Sequence, residues 1–245
     1  MPSNESCEQI LYILPNLIGE HEAFIEMIAI EHPEIKKLNH FFVEKEKPAR
    51  ALVKRLHLET PQNDLLLTPI GKHQSSTTYL NVLKKVKYDI GLISDAGVPG
   101  VADPGSTVVL EAHKLGFQVV PLAGPSSIIN ALSASGLNGQ QFTFHGYLPV
   151  RTEDLKAKLT DIIRDSVRTA FTHIFIETPY RNMKLLETLQ QVAPENTLFC
   201  IAAGIQTSNE FIRTRRIAEW KNSGFPNIHK VPAVFLIGPV SYTHL

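Results

Sequence analysis

Two consecutive strand–turn–helix junctions within residues 88–136 constrain the fold of this chain more than any other feature of its sequence. The first begins with Asp89–Ser94, a short and largely apolar run that is typical of a buried strand. It ends in Asp95–Gly105, a segment of Gly, Pro and other small residues that predicts an extended turn. Asp103 followed by Pro104 indicates a helix start, with an N-cap residue and then proline in the first helical position.

The second junction repeats this arrangement with another strand and another helix. We expect the first helix to end at Gly116 and a strand to follow over Phe117–Leu122. The strand ends in residues 123–127 (AGPSS), from which a short helix runs to Gly136. We place the two small-residue turns at the carboxyl ends of adjacent strands, where backbone N–H groups can approach a ligand. The pattern therefore predicts a binding site at this edge of the sheet.

The rest of the chain indicates an α/β fold whose two halves differ in character. Strand and helix alternate up to Leu122, which predicts a mostly parallel sheet covered on both faces. After Gly136 the strand pattern indicates a mixed and partly antiparallel sheet. The other predicted strands lie at Gln9–Leu14, Asn39–Val43, Gln141–Leu148, within Arg168–Glu177, and at Thr197–Ala203, Glu210–Ile217 and Val231–Ile237. Leu65–Ile70 is apolar and fits either a strand or a packed loop. The other predicted helices are His21–Ile30, Lys47–Leu56, Thr77–Val86, Asp154–Ile163 and one that begins at Thr178.

Charge and cysteine content narrow the classes of function. The 245 residues carry 24 Lys and Arg against 24 Asp and Glu, so a nucleic-acid partner would need a local basic face. Cys7 and Cys200 form no CxxC pair and the ten histidines lack metal-ligand spacing, so we expect no metal site. No apolar run reaches membrane-spanning length, and Met1–Cys7 is too short and polar for a signal peptide. We therefore expect a cytoplasmic protein without a membrane partner.

The glycine-rich turns do not match the common nucleotide or hydrolase motifs. The dinucleotide-binding motif GxGxxG is missing after the first strand, where Gly19 stands alone. Gly71 and Lys72 lack the other residues of a phosphate-binding Walker loop. Ser126 and Ser127 do not lie in the GxSxG turn of a hydrolase. A dehydrogenase, a nucleotide hydrolase and a serine hydrolase are therefore all disfavoured.

Two further strand ends favour a ligand site over plain crossover turns. Pro15 opens a loop directly after the first predicted strand, and residues 177–181 (ETPYR) follow a later one. Two basic stretches are less decisive. One covers Lys36, Lys37, Lys45, Lys47, Arg50, Lys54 and Arg55, and the other covers Arg213, Arg215 and Arg216. On charge alone a solvated surface is the favoured interpretation of each stretch, and contact with phosphates is the alternative.

Four segments, taken together, resemble one enzyme family. Residues 94–105 (SDAGVPGVADPG) resemble the SDAGTPxxSDPG signature of the ribosomal small-subunit RNA ribose methyltransferases, a branch of the tetrapyrrole methylase superfamily. Residues 121–137 are similar to the PxPGPSAxxxALxxSGL segment of that family, and residues 142–149 are similar to its FxFxGFLP segment. Residues 177–181 resemble its YEAPHR segment. The segments follow one another in the family's order over most of the chain.

The resemblance implies a two-domain class III S-adenosylmethionine methyltransferase fold of the α/β class, with the cofactor in the interdomain cleft, usually in a homodimer. We place an N-terminal domain with a mostly parallel sheet at 1–122, a C-terminal domain with a mixed sheet at 123–240, and a tail at 241–245. Carried over residue by residue, the resemblance implies a cofactor site. Its residues would be Pro15, Asp95, Ala96, Gly97, Val101, Ser126, Ser127 and Glu177.

The implied activity is methylation of a ribose 2′-hydroxyl of small-subunit ribosomal RNA, with S-adenosyl-L-methionine as the cofactor. The transfer is an in-line displacement that needs no metal and depends on the positioning of its reactants. Glu177, Glu44 and His145 are candidates for a general base. Arg181, Lys45, Lys47 and Arg50 are candidates for contacts with the substrate.

Two alternatives remain, because residues 43–47 (VEKEK) stand where the family has an acidic EDTR loop. One is a methyltransferase that acts on a tetrapyrrole or another small molecule. The other is a cofactor-binding module without catalytic activity.

Overall fold

The computed structural model describes residues 9–71 and 74–239. The predictions for Cys7, for Met1–Cys7 and for the tail at 241–245 lie outside this range. The chain forms two compact units, Met1–Ser126 and Ser127–Leu245. Among the described residues, no helix is both long and apolar enough to cross a bilayer.

The first unit is built on a parallel sheet, as the alternation of strands and helices predicts. Its strands are β1 (Ile10–Leu14), β2 (His40–Val43), β3 (Leu66–Pro69), β4 (Ile90–Ile93) and β5 (Gln118–Pro121). Its helices are α1 (Ala23–Glu31), α2 (Glu46–Arg55), α3 (Ser76–Leu83) and α4 (Ser106–Lys114). The strand order is β3-β2-β4-β1-β5, and every pair of neighbours is parallel.

The central strands of this sheet are buried on both faces, because helices cover each side. In β2, the side chains of Phe41 and Phe42 point to opposite faces and enter two separate apolar clusters. In β1, Leu11 and Ile13 enter one cluster and Tyr12 and Leu14 the other. This two-sided burial explains why these strands are almost uniformly apolar in sequence.

The second unit has the mixed sheet that the sequence predicts. Its strands are β6 (Phe142–Tyr147), β7 (Thr172–Glu177), β8 (Leu198–Ala203), β9 (Phe211–Arg216) and β10 (Ala233–Gly238). Its helices are α5 (Ser127–Ser135), α6 (Thr152–Thr169), α7 (Asn182–Val192) and α8 (Ile217–Ser223). The strand order is β6-β7-β10-β8-β9, in which only β6 and β7 are parallel neighbours. Phe235 stacks between Phe175 and Phe199 in its core, with ring centroids 5.9 and 6.0 Å apart.

The helix start predicted at Asp103 and Pro104 is wrong. Helix α4 begins at Ser106 and Gly105 is its N-cap residue, with a φ of 136°. The preceding turn closes on itself, since the Gly100 N–H donates to the Pro104 carbonyl at 3.3 Å. The turn therefore ends two residues later than the capping pattern indicates, and the Asp103 side chain does not cap the helix.

The predicted adjacency of the two glycine-rich turns is also wrong. Strands β4 and β5 carry these turns, but β1 lies between them and pairs with both. Strand β1 comes from the start of the chain, so local sequence around residues 88–136 gives no sign of it. The loop that opens at Pro15 consequently lies between the two turns.

Candidate functional site

Asn16 joins the end of β1 to the turn after β4. The backbones of Asn16 and Gly97 exchange two hydrogen bonds, of 2.8 and 3.0 Å. The Asn16 side-chain amide also donates to the carbonyl oxygens of Ser94 (3.0 Å) and Asp95 (3.3 Å), and the residue is only 5% exposed. These bonds fix the Asp95–Gly97 turn against β1. Asn16 was not among the predicted site residues, although it directly follows Pro15, which was.

The turn after β5 closes on the same loop. Gly124 lies so near Pro15 that an added Cβ would be 2.5 Å from the Pro15 Cβ and closer still to its Cγ. Gly97 has a φ of +67°, a conformation that side chains other than glycine rarely adopt. We call the ends of β1, β4 and β5, with residues 15–16, 94–97 and 123–126, the strand-end shelf. Of these residues, Ala96, Ala123 and Gly124 are small and exposed, so a ligand can approach the backbone there.

The acidic residues beside the shelf form a connected group. The Asp95 N–H donates to Glu44 Oε2 at 3.2 Å, which ties the loop after β2 to the turn after β4. Lys45 forms an ion pair with Asp95 Oδ2. Asp95 Oδ1 is buried and has no hydrogen-bond partner among the described residues. A buried acceptor of this kind is costly unless a ligand donates to it.

Asp103 is a further member of this group, and sequence reasoning assigned it only a structural role. Burial raises the pKa of Asp103 to about 6, and the negative charges of Glu44 and Asp95 add to the shift while Lys45 opposes it. Its place within the signature-like segment at residues 94–105 was the signal that could have identified it. A carboxyl group with a pKa near neutrality can accept a proton at physiological pH.

The other predicted cofactor residues of the first unit lie on or beside the shelf. Ala96 is exposed and its carbonyl accepts from Ser94 Oγ at 3.1 Å, while Val101 is 47% exposed in the same turn. Ser126 ends the first unit, and Ser127 begins α5 in the second.

Glu177 and Arg181 bind each other in the second unit. Glu177 ends β7 with 5% of its surface exposed, and its Oε1 accepts from the Thr178 N–H at 2.6 Å. The Arg181 guanidinium donates to the same oxygen through Nε (2.9 Å) and through Nη2. Asn182 donates to the Ile228 and Val231 carbonyls and anchors the following helix. The carboxylate predicted as a base and the arginine predicted as a substrate contact are thus partners.

His145 is also engaged with a neighbour. Its Nε2 lies 2.8 Å from Nδ1 of His173, and the two rings are nearly parallel, at 11°. Burial, with the nearby Lys158 and His173, lowers the pKa of His145 to about 4. His145 is therefore neutral at pH 7.

The lysines and the arginine of residues 45–50 that were predicted to contact the substrate differ in their exposure and in their hydrogen-bond partners. Arg50 bonds Glu46 on its own helix at 3.3 Å and donates to the Gln62 carbonyl at 2.6 Å. Lys45 is paired with Asp95, as above, whereas Lys47 is exposed and forms no ion pair within the described residues. Within those residues, no group of three or more His, Cys, Asp or Glu side chains could hold a metal ion.

No protein-family model matches the chain, but individual relatives do. Ribosomal RNA small subunit methyltransferase I of Vibrio cholerae is 31% identical over 222 residues, which cover 86% of this chain and 69% of the relative. The protein of the same name from Buchnera aphidicola is 30% identical, over 83% of this chain and 68% of its own length. The chain belongs to this family. The corresponding Pseudomonas aeruginosa protein is 36% identical over a shorter stretch of 131 residues.

Solved structures agree on the fold. The methyltransferase CobJ matches with a TM-score of 0.58 at 16% identity, over 97% of this chain and 95% of that one. Uroporphyrin-III C-methyl transferase from Thermus thermophilus, solved in complex with S-adenosyl homocysteine, matches with a TM-score of 0.52 at 18% identity, over 94% and 98%. The predicted family, the class III α/β fold and the assignment as a methyltransferase are confirmed. Family membership also supports S-adenosyl-L-methionine as the cofactor.

Proposed function

We propose that the chain transfers a methyl group from S-adenosylmethionine to a ribose 2′-hydroxyl of small-subunit ribosomal RNA. Membership of the methyltransferase I family supports the acceptor, because the relatives are named for ribosomal RNA of the small subunit. The strand-end shelf supports the cofactor, and the unpartnered Asp95 Oδ1 is the observation that carries this assignment.

The residues of the shelf fit S-adenosylmethionine in their chemistry. Asp95 Oδ1 would accept a hydrogen bond from a hydroxyl or amino group of the cofactor, both of which are good donors to a carboxylate. Ala96, which is exposed, would offer backbone groups, and Pro15, Gly97 and Val101 would offer small apolar surfaces. Ser126, Ser127 and Glu177 complete the proposed cofactor set, and their roles rest on the resemblance.

Asp103 is our proposed general base for the acceptor hydroxyl. S-adenosylmethionine, when bound, supplies an electrophilic methyl group on a sulfonium centre. The chain must hold the hydroxyl oxygen in line and accept its proton. Of the sequence-predicted bases, Glu177 is bound to Arg181, His145 to His173, and Glu44 accepts from the Asp95 backbone. The raised pKa of Asp103, about 6, suits a base that works near neutral pH.

Lys47 is our proposed first contact with the phosphates of the RNA, because it is exposed and unpaired within the described residues. Lys45, Arg50 and Arg181 already bond protein acceptors, so each has fewer free N–H donors to offer to phosphate oxygens than Lys47. We further propose that the enzyme works as a homodimer in the cytoplasm, where its ribosomal substrate is assembled.

Methyl transfer can be tested with radiolabelled S-adenosylmethionine and small ribosomal subunits that lack the modification. Tetrapyrrole precursors serve as the competing acceptor. We expect label in the RNA alone; label only in the tetrapyrrole would refute the acceptor. Tight cofactor binding with no label in either would favour a non-catalytic module.

Variants separate the two proposed roles in this assay. Asp95→Asn should weaken cofactor binding roughly tenfold, because a neutral amide oxygen accepts a weaker hydrogen bond than a carboxylate. Asp103→Asn should leave cofactor binding intact and lower the transfer rate by about 10²-fold or more. Asp64→Asn makes the same change at an exposed aspartate before β3 and serves as the control. Equal transfer rates for Asp103→Asn and Asp64→Asn would refute the role of Asp103.

A further inference from the structure

A pocket in the second unit has no part in the proposed reaction. It has a volume of about 370 Å³ and lies between α6 and the strands β6 and β7. Charged and imidazole side chains line it, among them Lys158, Arg168 and the pair His145 and His173. The helix α6 extends to Thr169, beyond the predicted end at Ile163, and this extra length supplies part of the lining.

His173 presents an unsatisfied polar atom in this pocket. Its side chain is 1% exposed, and its Nδ1 is occupied by His145. Its Nε2 is buried without a hydrogen-bond partner among the described residues. Asp165 Oδ2 is 3.6 Å from this nitrogen, which is too far for a hydrogen bond. A buried nitrogen without a partner is costly, so a ligand atom that bonds to it would be stabilised there.

The histidine pair can present this nitrogen as a donor. Burial lowers the pKa values of both His145 and His173, so each ring carries a single proton at neutral pH. One ring must donate to the other across the 2.8 Å contact. When His145 Nε2–H is the donor, His173 keeps its own proton on Nε2 and directs an N–H at the ligand.

The charges around the pocket favour an anion. Arg164 pairs with Asp161 at 2.6 Å and Arg168 pairs with Asp165, so these four charges balance. Lys158 has no ion-pair partner among the described residues, and its charge contributes to the lowered pKa values of both histidines. The lining thus has one cation in excess, which disfavours a metal ion.

We propose that this pocket binds a phosphate group, held by Lys158 and by the Nε2–H of His173, with Arg168 at its rim. An ammonium and an N–H are both strong donors to phosphate oxygens. The proposal rests on the second unit alone and does not depend on the methyl acceptor.

The first test is a titration of the full chain with inorganic phosphate, followed through the imidazole ¹H and ¹⁵N signals. We expect saturable shifts at His173 Nε2, with its proton fixed on that nitrogen. Signals of His173 that stay unmoved at saturating phosphate would overturn the proposal. This readout uses the unmodified protein and is unaffected by any folding defect of a variant.

The second test compares two lysines of α6. Lys158→Gln should weaken phosphate binding roughly tenfold, the loss expected for one charged hydrogen bond. Lys156→Gln removes the same charge two residues away, where the lysine pairs with Glu153 at 3.7 Å outside the pocket lining. Equal phosphate affinities of the two variants would overturn the proposal.

A third experiment measures binding of a small-subunit ribosomal RNA fragment and identifies the molecule that supplies the phosphate group. If inorganic phosphate competes with a small-subunit ribosomal RNA fragment, and Lys158→Gln weakens binding of the fragment, the backbone of RNA occupies the pocket. If Lys158→Gln weakens phosphate binding but not RNA binding, a small phosphorylated molecule occupies it. Both results support the site. A chain that binds phosphate here but transfers no methyl group would refute only the proposed function.

Discussion

Replacing Gly124 with alanine should damage the strand-end shelf. An alanine Cβ would overlap the ring of Pro15, 2.5 Å from its Cβ, and the ring cannot rotate away because it is part of the backbone. Overpacking of this kind costs about 1–3 kcal/mol. Alanine also has less conformational freedom than glycine in the unfolded chain, which stabilises the folded state by about 0.4–1 kcal/mol. We therefore expect a net loss of about 1–2 kcal/mol, or roughly 2–8 °C in Tm.

The clash should weaken cofactor binding as well as lower the stability of the chain. The turn after β5 and the loop at Pro15 must move apart by several tenths of an ångström or more, so we expect S-adenosylmethionine affinity to fall about tenfold. Calorimetric titration and thermal unfolding measure the two effects. Gly139→Ala is the matched control, because no described atom lies within 4 Å of its added Cβ and its φ needs no glycine. If Gly124→Ala has the same Tm and cofactor affinity as Gly139→Ala, the proposed clash with Pro15 is refuted.

Three further predictions concern ionisable groups. The pKa of Asp103 is raised from 3.8 to about 6, so the native state binds the extra proton between these values and stability falls as pH rises through that window. Asp103→Asn should lack this fall in stability when Tm is followed from pH 4 to 7. A variant with the same pH profile as the unaltered chain would contradict this prediction. The pKa of His145 is lowered from 6.5 to about 4, so its contribution is present above pH 6.5 and is lost on acidification. His145→Gln should therefore lose less stability than the unaltered chain between pH 6.5 and 4, as judged by urea unfolding. Arg181→Met leaves the buried Glu177 carboxylate without its charged partner and should lower the free energy of unfolding by about 2–3 kcal/mol. This is less than for a fully buried pair because Arg181 is 29% exposed. Arg181→Lys should recover part of that loss, and a Met variant as stable as the Lys variant would show that the ion pair is unimportant.

The sheets, the strand ends and the family could all be predicted from the residues alone. Apolar runs alternating with helical patterns predict a parallel sheet because strands buried on both faces are almost entirely apolar, and β1, β4 and, apart from His40, β2 have this composition. Small residues at the strand ends predict the shelf, since Gly97 needs a positive φ and Gly124 a close approach. The positive φ of Gly97 is a local requirement that local sequence records, whereas Gly124 is small because Pro15, remote in sequence, packs against it.

Which of these segments meet depends on the packing of the folded chain. The insertion of β1 between β4 and β5 brings the Pro15 loop to both turns, and no nearby residue encodes that order. Packing likewise made Asp103 a half-buried acid instead of a helix cap. His145 meets His173 because β6 and β7 are neighbouring strands, although 28 residues separate them in sequence. Charge pairing and burial depend on distances between segments remote in sequence, and only the folded chain sets those distances.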